Sequence, residues 1–131
     1  MEYLFVYGTL QDILDNEMSR FLSTNSEIFG KGFIHGKLYK ISWFPGAVLS
    51  KTPSEKVYGS IFKLKTIENT FKVLDNYEGC DANNPKTSLF FRETTTVFLE
   101  NGNIINAWVY LYNQNVDDKK RIFSRDFLKD A

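Results

Sequence analysis

A chain of 131 residues with 43% hydrophobic and 16% aromatic content suits one compact domain over residues 1–131, able to bury about two thirds of its unfolded surface. Sixteen basic residues balance sixteen acidic ones, which removes the positive excess that phosphate-backbone binding relies on and argues against a nucleic-acid partner. One cysteine, Cys80, makes no intramolecular disulfide, and with His35 as the only histidine the chain lacks a zinc-type ligand set. A reducing compartment and no metal are the expectations.

The chain begins Met-Glu-Tyr-Leu-Phe-Val-Tyr-Gly, without the charged and long apolar regions of a secretory signal. No apolar run approaches the ~20 residues that cross a bilayer. A soluble, cytoplasmic protein with no membrane partner is expected.

Tyr3 to Tyr7 is a β-branched and aromatic run that reads as a buried strand stopped by Gly8. Beyond it Leu14, Met18, Phe21 and Leu22 follow helical spacing, with Asp12 or Asp15 available as a cap. Gly30, Gly32 and Gly36 punctuate a second strand region running to about Trp43, and Phe44-Pro45-Gly46 turns the chain into Ala47 to Leu49. Val57 to Leu64 is a further strand. Thr66 is placed to cap a helix with the stripe Ile67, Phe71 and Leu74, and Gly79 to end it in the left-handed conformation. Leu89 to Leu99 and Ile104 to Tyr112 read as antiparallel strands joined by a type I′ turn at Asn101-Gly102. Asp117 to Ala131, with Ile122, Phe123, Phe127 and Leu128 among charges, suits a terminal helix or coil laid on the body.

His35 stands in a glycine-bounded, strand-like stretch with no acidic neighbour in sequence, which disfavours Ser-His-Asp or Cys-His chemistry. If the protein is an enzyme, a carboxylate handles its protons. Positions 67, 71, 74 and 78 share one helix face, so Glu78 ends a core-facing stripe. Burial and the negative end of the helix dipole both raise its pKa toward the range of a general acid or base. A frayed last turn that leaves Glu78 in water fits the spacing as well. Tyr7-Gly8-Thr9-Leu10 delivers a strand into a loop whose N–H groups suit an anion, although an ordinary strand-to-helix turn has the same pattern. Gly30-x-Gly32-x-x-x-Gly36 lacks the spacing and the following helix of a dinucleotide fingerprint. Cys80 has no cationic partner to activate it and reads as a bystander. The aromatics Phe90, Phe91, Trp108, Tyr110 and Tyr112 alternate on opposed strands, which puts part of them in the core.

Six segments in order are Phe5-Val6-Tyr7-Gly8-Thr9-Leu10, Phe44-Pro45-Gly46-Ala47-Val48, Val57-Tyr58-Gly59-Ser60-Ile61-Phe62, Leu74-Asp75-Asn76-Tyr77-Glu78-Gly79, Ser88-Leu89-Phe90-Phe91-Arg92 and Ala107-Trp108-Val109-Tyr110. Their order and spacing resemble the gamma-glutamylcyclotransferase-like family, which includes AIG2-like and gamma-glutamylamine cyclotransferase proteins. The resemblance implies an α+β fold, a small mixed β-barrel flanked by helices. It also implies a cavity between the loop at Gly8 and Glu78, with Glu78 as acid/base and Gly8, Thr9 and Leu10 holding a substrate carboxylate or oxyanion. Tyr7 and Tyr110 would be wall residues, no metal or cofactor would take part, and a small gamma-glutamyl compound would be the substrate. Two departures stand out. Phe90 occupies the tyrosine position of a Ser-x-Tyr-x-Arg pattern, and Ser124-Arg125-Asp126-Phe127 replaces a Gly-Asp-Trp; both bear on substrate choice. Arg92 is open to two readings, a substrate carboxylate partner or a structural ion pair. The implied reaction is cyclisation of a gamma-glutamyl amide or amine to 5-oxoproline. The alternatives are a non-catalytic small-molecule-binding or regulatory module with the same cavity, and a different acyl transfer or amide cleavage on a related compound.

Overall fold

In the computed structural model, which describes residues 2–7, 17–41, 44–81 and 83–123, the N-terminal apolar run forms β1 (Tyr3–Val6). This strand shows no polar alternation because both of its faces are covered. Phe5 and the following Tyr7 join one buried cluster, with Ile34, Val57, Ile61 and Val109. Leu4 and Val6 join another, with Leu22, Phe62, Phe71 and Leu74. The first cluster fills the inside of the sheet and the second lies under the helices.

Strands β2 (Ser26–Lys40), β3 (Pro45–Leu49), β4 (Lys56–Leu64), β5 (Phe90–Leu99) and β6 (Ile104–Tyr112) complete the sheet. Its order is β3-β2-β4-β1-β6-β5, and a further pairing of β2 with β5 closes five strands into a mixed barrel with β3 attached to β2. The parallel neighbours are β1 and β6, in register at Leu4 and Trp108. At the closing seam Gly32 faces Leu99 and Phe33 faces Phe98. A Cβ at position 32 would lie 2.3 Å from the Phe98 carbonyl oxygen, so the seam closes only around glycine.

Helix α1 (Glu17–Asn25) runs straight into β2 at Ser26, four residues before the glycines where the sequence places the strand. The junction needs no glycine. Asn25 Nδ2 donates to the Phe21 carbonyl at 2.8 Å and Ser26 Oγ to the Leu22 carbonyl at 2.5 Å, so side chains satisfy the last helical acceptors. The strand ends at Lys40 rather than near Trp43; Trp43, like Asp12, Leu14 and Asp15, lies outside the described residues.

Helix α2 (Ile67–Tyr77) follows Thr66, which has the extended backbone of an N-cap but makes no side-chain capping bond. Its buried stripe is Thr70, Phe71 and Leu74. Ile67 is 42% exposed and drops out of the expected stripe because the first turn overhangs the edge of the core. At the other end Gly79 has φ of 64°. Its N–H meets the Asn76 carbonyl at 3.4 Å and that of Cys80 the Asp75 carbonyl at 2.8 Å, the paired bonds of a Schellman ending. The β5–β6 connection is three residues, Glu100-Asn101-Gly102, between the paired Phe98 and Ile104 and the facing Leu99 and Asn103. Gly102 N–H donates to the Leu99 carbonyl at 3.0 Å, and its φ is 89°. This is a turn with the left-handed residue last, not the expected two-residue type I′ turn.

After β6 the chain makes one 3₁₀ turn at Asp118–Lys120, and Ile122 is buried with its N–H on the Leu38 carbonyl at 2.7 Å. Phe123 is 74% exposed; Phe127 and Leu128 lie outside the described residues. No helix among those described is long and apolar enough to cross a membrane.

Candidate functional site

Glu78 is the C-cap of α2, with φ of −83° and ψ of 0°. Its N–H donates to the Leu74 carbonyl at 2.8 Å. The last turn is therefore held, and the frayed alternative does not apply. The side chain is half-buried, and loss of hydration pushes its carboxyl up to about 7. Among the described residues none donates a hydrogen bond to that carboxylate. Two phenols are close enough to feel its charge, Tyr7 after β1 and Tyr110 on β6; burial raises both first, and the Glu78 charge adds to the rise. Both stay protonated at any working pH.

The hydroxyl of Tyr7 is engaged on both sides. It donates to the Tyr110 carbonyl at 2.6 Å and accepts the Ala47 N–H at 3.1 Å, tying β1 to β6 and β3 at one end of the barrel. Tyr7 is thus held in place. Tyr110 lies on the alternate face of β6, beneath the helices, and its hydroxyl donates to Asp75 Oδ1 at 2.6 Å.

Asp75 carries no role in the sequence reading, yet it organises this end of α2. Arg92 meets it in a two-point bridge, Nε to Oδ1 at 2.9 Å and Nη2 to Oδ2 at 3.1 Å. The guanidinium lies over the rings of Phe71 at 4.0 Å and Trp108 at 4.9 Å. Of the two readings open to Arg92, the ion pair is the one observed. The sequence signal for Asp75 is its place three residues before Glu78, which makes the two neighbours on the helix surface; its partners come from β5 and β6 and need the fold.

Phe90 is buried against Tyr112 and Phe44, at 5.5 and 6.0 Å between ring centroids, so an apolar surface stands where a phenol would be. The Cys80 thiol is pushed up, chiefly by burial and then by Asp75, and stays in the unreactive form. A groove of about 490 Å³ beside α2 is lined by Lys72, Asp75, Gly79, Cys80 and Asn84 among others, without Glu78. Among the described residues, no group of three or more His, Cys, Asp or Glu is placed to hold a metal ion. Gly8, Thr9 and Leu10, and the departure at Ser124 to Phe127, lie outside the described residues.

A closed five-stranded mixed barrel flanked by helices is the fold this chain shares with solved cyclotransferase-like structures. The chain belongs to the family described as gamma-glutamyl cyclotransferase, AIG2-like, whose model matches residues 4–129. It is 28% identical over 115 residues, 88% of each chain, to a Methanocaldococcus jannaschii protein provisionally named a gamma-glutamylcyclotransferase. Among solved structures it is similar in fold to an AIG2-like protein from Mus musculus, with a TM-score of 0.70 and 22% identity over 90% of this chain and 81% of that one. It is also similar to YkqA from Bacillus subtilis, with a TM-score of 0.72 and 22% identity. The match covers 98% of this chain and 40% of YkqA, so the chain spans less than half of that protein's length.

Proposed function

We propose that the protein converts a gamma-glutamyl amide or amine to 5-oxoproline and a free amine, with Glu78 as the general acid/base. The observation that carries this reading is the placement of Glu78 at the end of a buried helix stripe, where burial pushes its carboxyl up to about 7, in a chain of this family. The substrate's α-amine attacks its own γ-carbonyl, the new C–N bond closes a five-membered lactam, and the original amide C–N bond breaks. No protein nucleophile is consumed. Holding the substrate folded exploits the advantage of an intramolecular attack, up to roughly 7 to 11 kcal/mol in favourable cases.

What remains is proton traffic. Ionised Glu78 takes a proton from the attacking nitrogen and returns it to the departing one, so the balance closes without a cofactor. An ordinary glutamate is a poor match to an amine; each pKa unit gained on burial narrows the transfer gap by about 1.4 kcal/mol. Tyr7 and Tyr110 wall the site, and the N–H groups of Gly8, Thr9 and Leu10 hold the substrate's carboxylate or the oxyanion. The test is a panel of gamma-glutamyl amino acids, gamma-glutamyl-ε-lysine and gamma-glutamyl amines, with 5-oxoproline quantified. Product from one class of these assigns the substrate; release of amine without 5-oxoproline favours plain amide cleavage, and binding without turnover favours a non-catalytic module.

A further inference from the structure

We propose that Asp75 is a positioning residue for Glu78: its carboxylate, gripped by Arg92 from β5 and Tyr110 from β6, clamps the last turn of α2 onto the hairpin and keeps the Glu78 side chain out of bulk water. The catalytic consequence rests on the reading of Glu78 as acid/base; the clamp itself is a matter of geometry.

Arg92 and Tyr110 face each other directly in the β5–β6 register, so two side chains of one cross-strand pair converge on a single carboxylate. Asp75 Oδ1 accepts both Arg92 Nε at 2.9 Å and the Tyr110 hydroxyl at 2.6 Å, while Oδ2 accepts Arg92 Nη2 at 3.1 Å. Arg92 also touches α2 a second time, through the ring of Phe71 at 4.0 Å. A planar guanidinium with both its edge and its face engaged leaves the helix little freedom to slide or lift. One turn on, Glu78 is carried by the same rigid segment.

The groups around Glu78 show what the clamp controls. Among the described residues these are Tyr7 just after β1 and Tyr110 on β6, which feel its charge, Asp75 on its own helix with Arg92 of β5 bound to it, and Cys80 two residues on in the chain. The phenols and the thiol are neutral, all pushed upward, and the Asp75 and Arg92 charges offset each other. The Glu78 rise has desolvation as its cause. Releasing the clamp therefore acts by admitting water, and whichever partner is removed, the Glu78 carboxyl falls toward its ordinary value.

The experiment uses the full chain carrying Asp75→Asn or Arg92→Gln. The Glu78 carboxyl is titrated by ¹³C NMR, assigned by its loss in Glu78→Gln, and kcat, KM and Tm are measured alongside. Both variants should lower the Glu78 midpoint from about 7 by about one unit or more. They should also reduce kcat by roughly 10- to 100-fold, the scale of an ångström-level misplacement, with KM nearly unchanged. A fall in Tm with the midpoint and kcat unmoved makes Asp75 merely structural and overturns the proposal. Midpoints that move in opposite directions in the two variants mean charge coupling and overturn it too. Where either variant fails to fold, Tyr110→Phe, which deletes one hydroxyl, must lower the midpoint in the same direction. The titration needs no substrate. A wild-type chain that forms no 5-oxoproline sinks the cyclotransferase reading while the titrations still decide the clamp.

Discussion

The chemistry of a single carboxyl sets three expectations for Glu78. Its folded pKa lies above the usual glutamate value of 4.5, at about 7. The protonated form is thus favoured by folding, and the associated stability is present below the ordinary value and lost as pH rises through about 7. Glu78→Gln removes the ionisation and should be more stable than wild type at pH ~8, by about 1–3 kcal/mol after allowance for partial hydration, or several degrees in Tm. The difference should vanish at pH ~4. Equal Tm values at pH ~8 would place the wild-type carboxylate in water. The same substitution should reduce 5-oxoproline formation by ~10²-fold or more, because the amide keeps size and polarity but accepts no proton. In the wild type, kcat/KM should climb through an acidic limb near about 7, and a limb at or below 4.5 would remove Glu78 from the base role. The place of Glu78 at the end of α2 is readable in the sequence because stripe spacing and helix end sit within twelve residues of chain, although spacing alone also allows a frayed turn. Asp75 was not, since its meaning lies in Arg92 and Tyr110, 17 and 35 residues away.

At the scale of elements, the sequence marks boundaries where glycine or proline does the ending and misses them where side chains do. Gly79 was placed correctly because a left-handed residue was needed. The α1–β2 junction was not, since Asn25 and Ser26 close the helix by reaching back to its carbonyls. The stripe of α2 was right at Phe71 and Leu74 and wrong at Ile67, because periodicity fixes the face of a helix but not where the body beneath it stops. Thr66 holds the N-cap backbone without the hydroxyl bond, so Thr66→Ala should cost well under the ~1 kcal/mol of a working cap. Gly79→Ala is the opposite case. It forces an L residue into φ of 64° and sets a Cβ 3.2 Å from that of Leu89, and should cost about 1–2 kcal/mol. Because the same turn carries Glu78, the Gly79→Ala chain should also lose turnover after correction for its folded fraction. Full activity in that variant would show that the Glu78 turn tolerates a shifted ending.

For the whole molecule, closure of the barrel is the feature that local patterns could not supply. Each strand is readable from its own residues, and the resemblance implies a barrel, but the β2–β5 seam joins segments more than sixty residues apart. What it demands is small: Gly32 and Phe33 facing Leu99 and Phe98. By contrast, β2 pairs with β4 from Ser26 to His35, and β5 with β6 over nearly its whole length. The seam is thus a thin ladder, two register pairs beside the single one between β1 and β6, with little sheet to stabilise it beyond the buried side chains behind it. Native-state hydrogen exchange should find the amides bridging Gly32–Phe33 to Phe98–Leu99 opening at lower free energy than those of β2–β4 and β5–β6. Gly32→Ala tests the same point by force. Its Cβ would stand 2.3 Å from a backbone oxygen, and backbone cannot swing aside as a side chain does, so the substitution should cost about 3 kcal/mol or more. Exchange protection should then be lost first at the seam amides of β2 and β5, with the β5–β6 ladder retained. A Gly32→Ala chain with wild-type Tm and an intact seam would mean that β2 and β5 approach less closely than described and that the barrel is held by its other ladders alone.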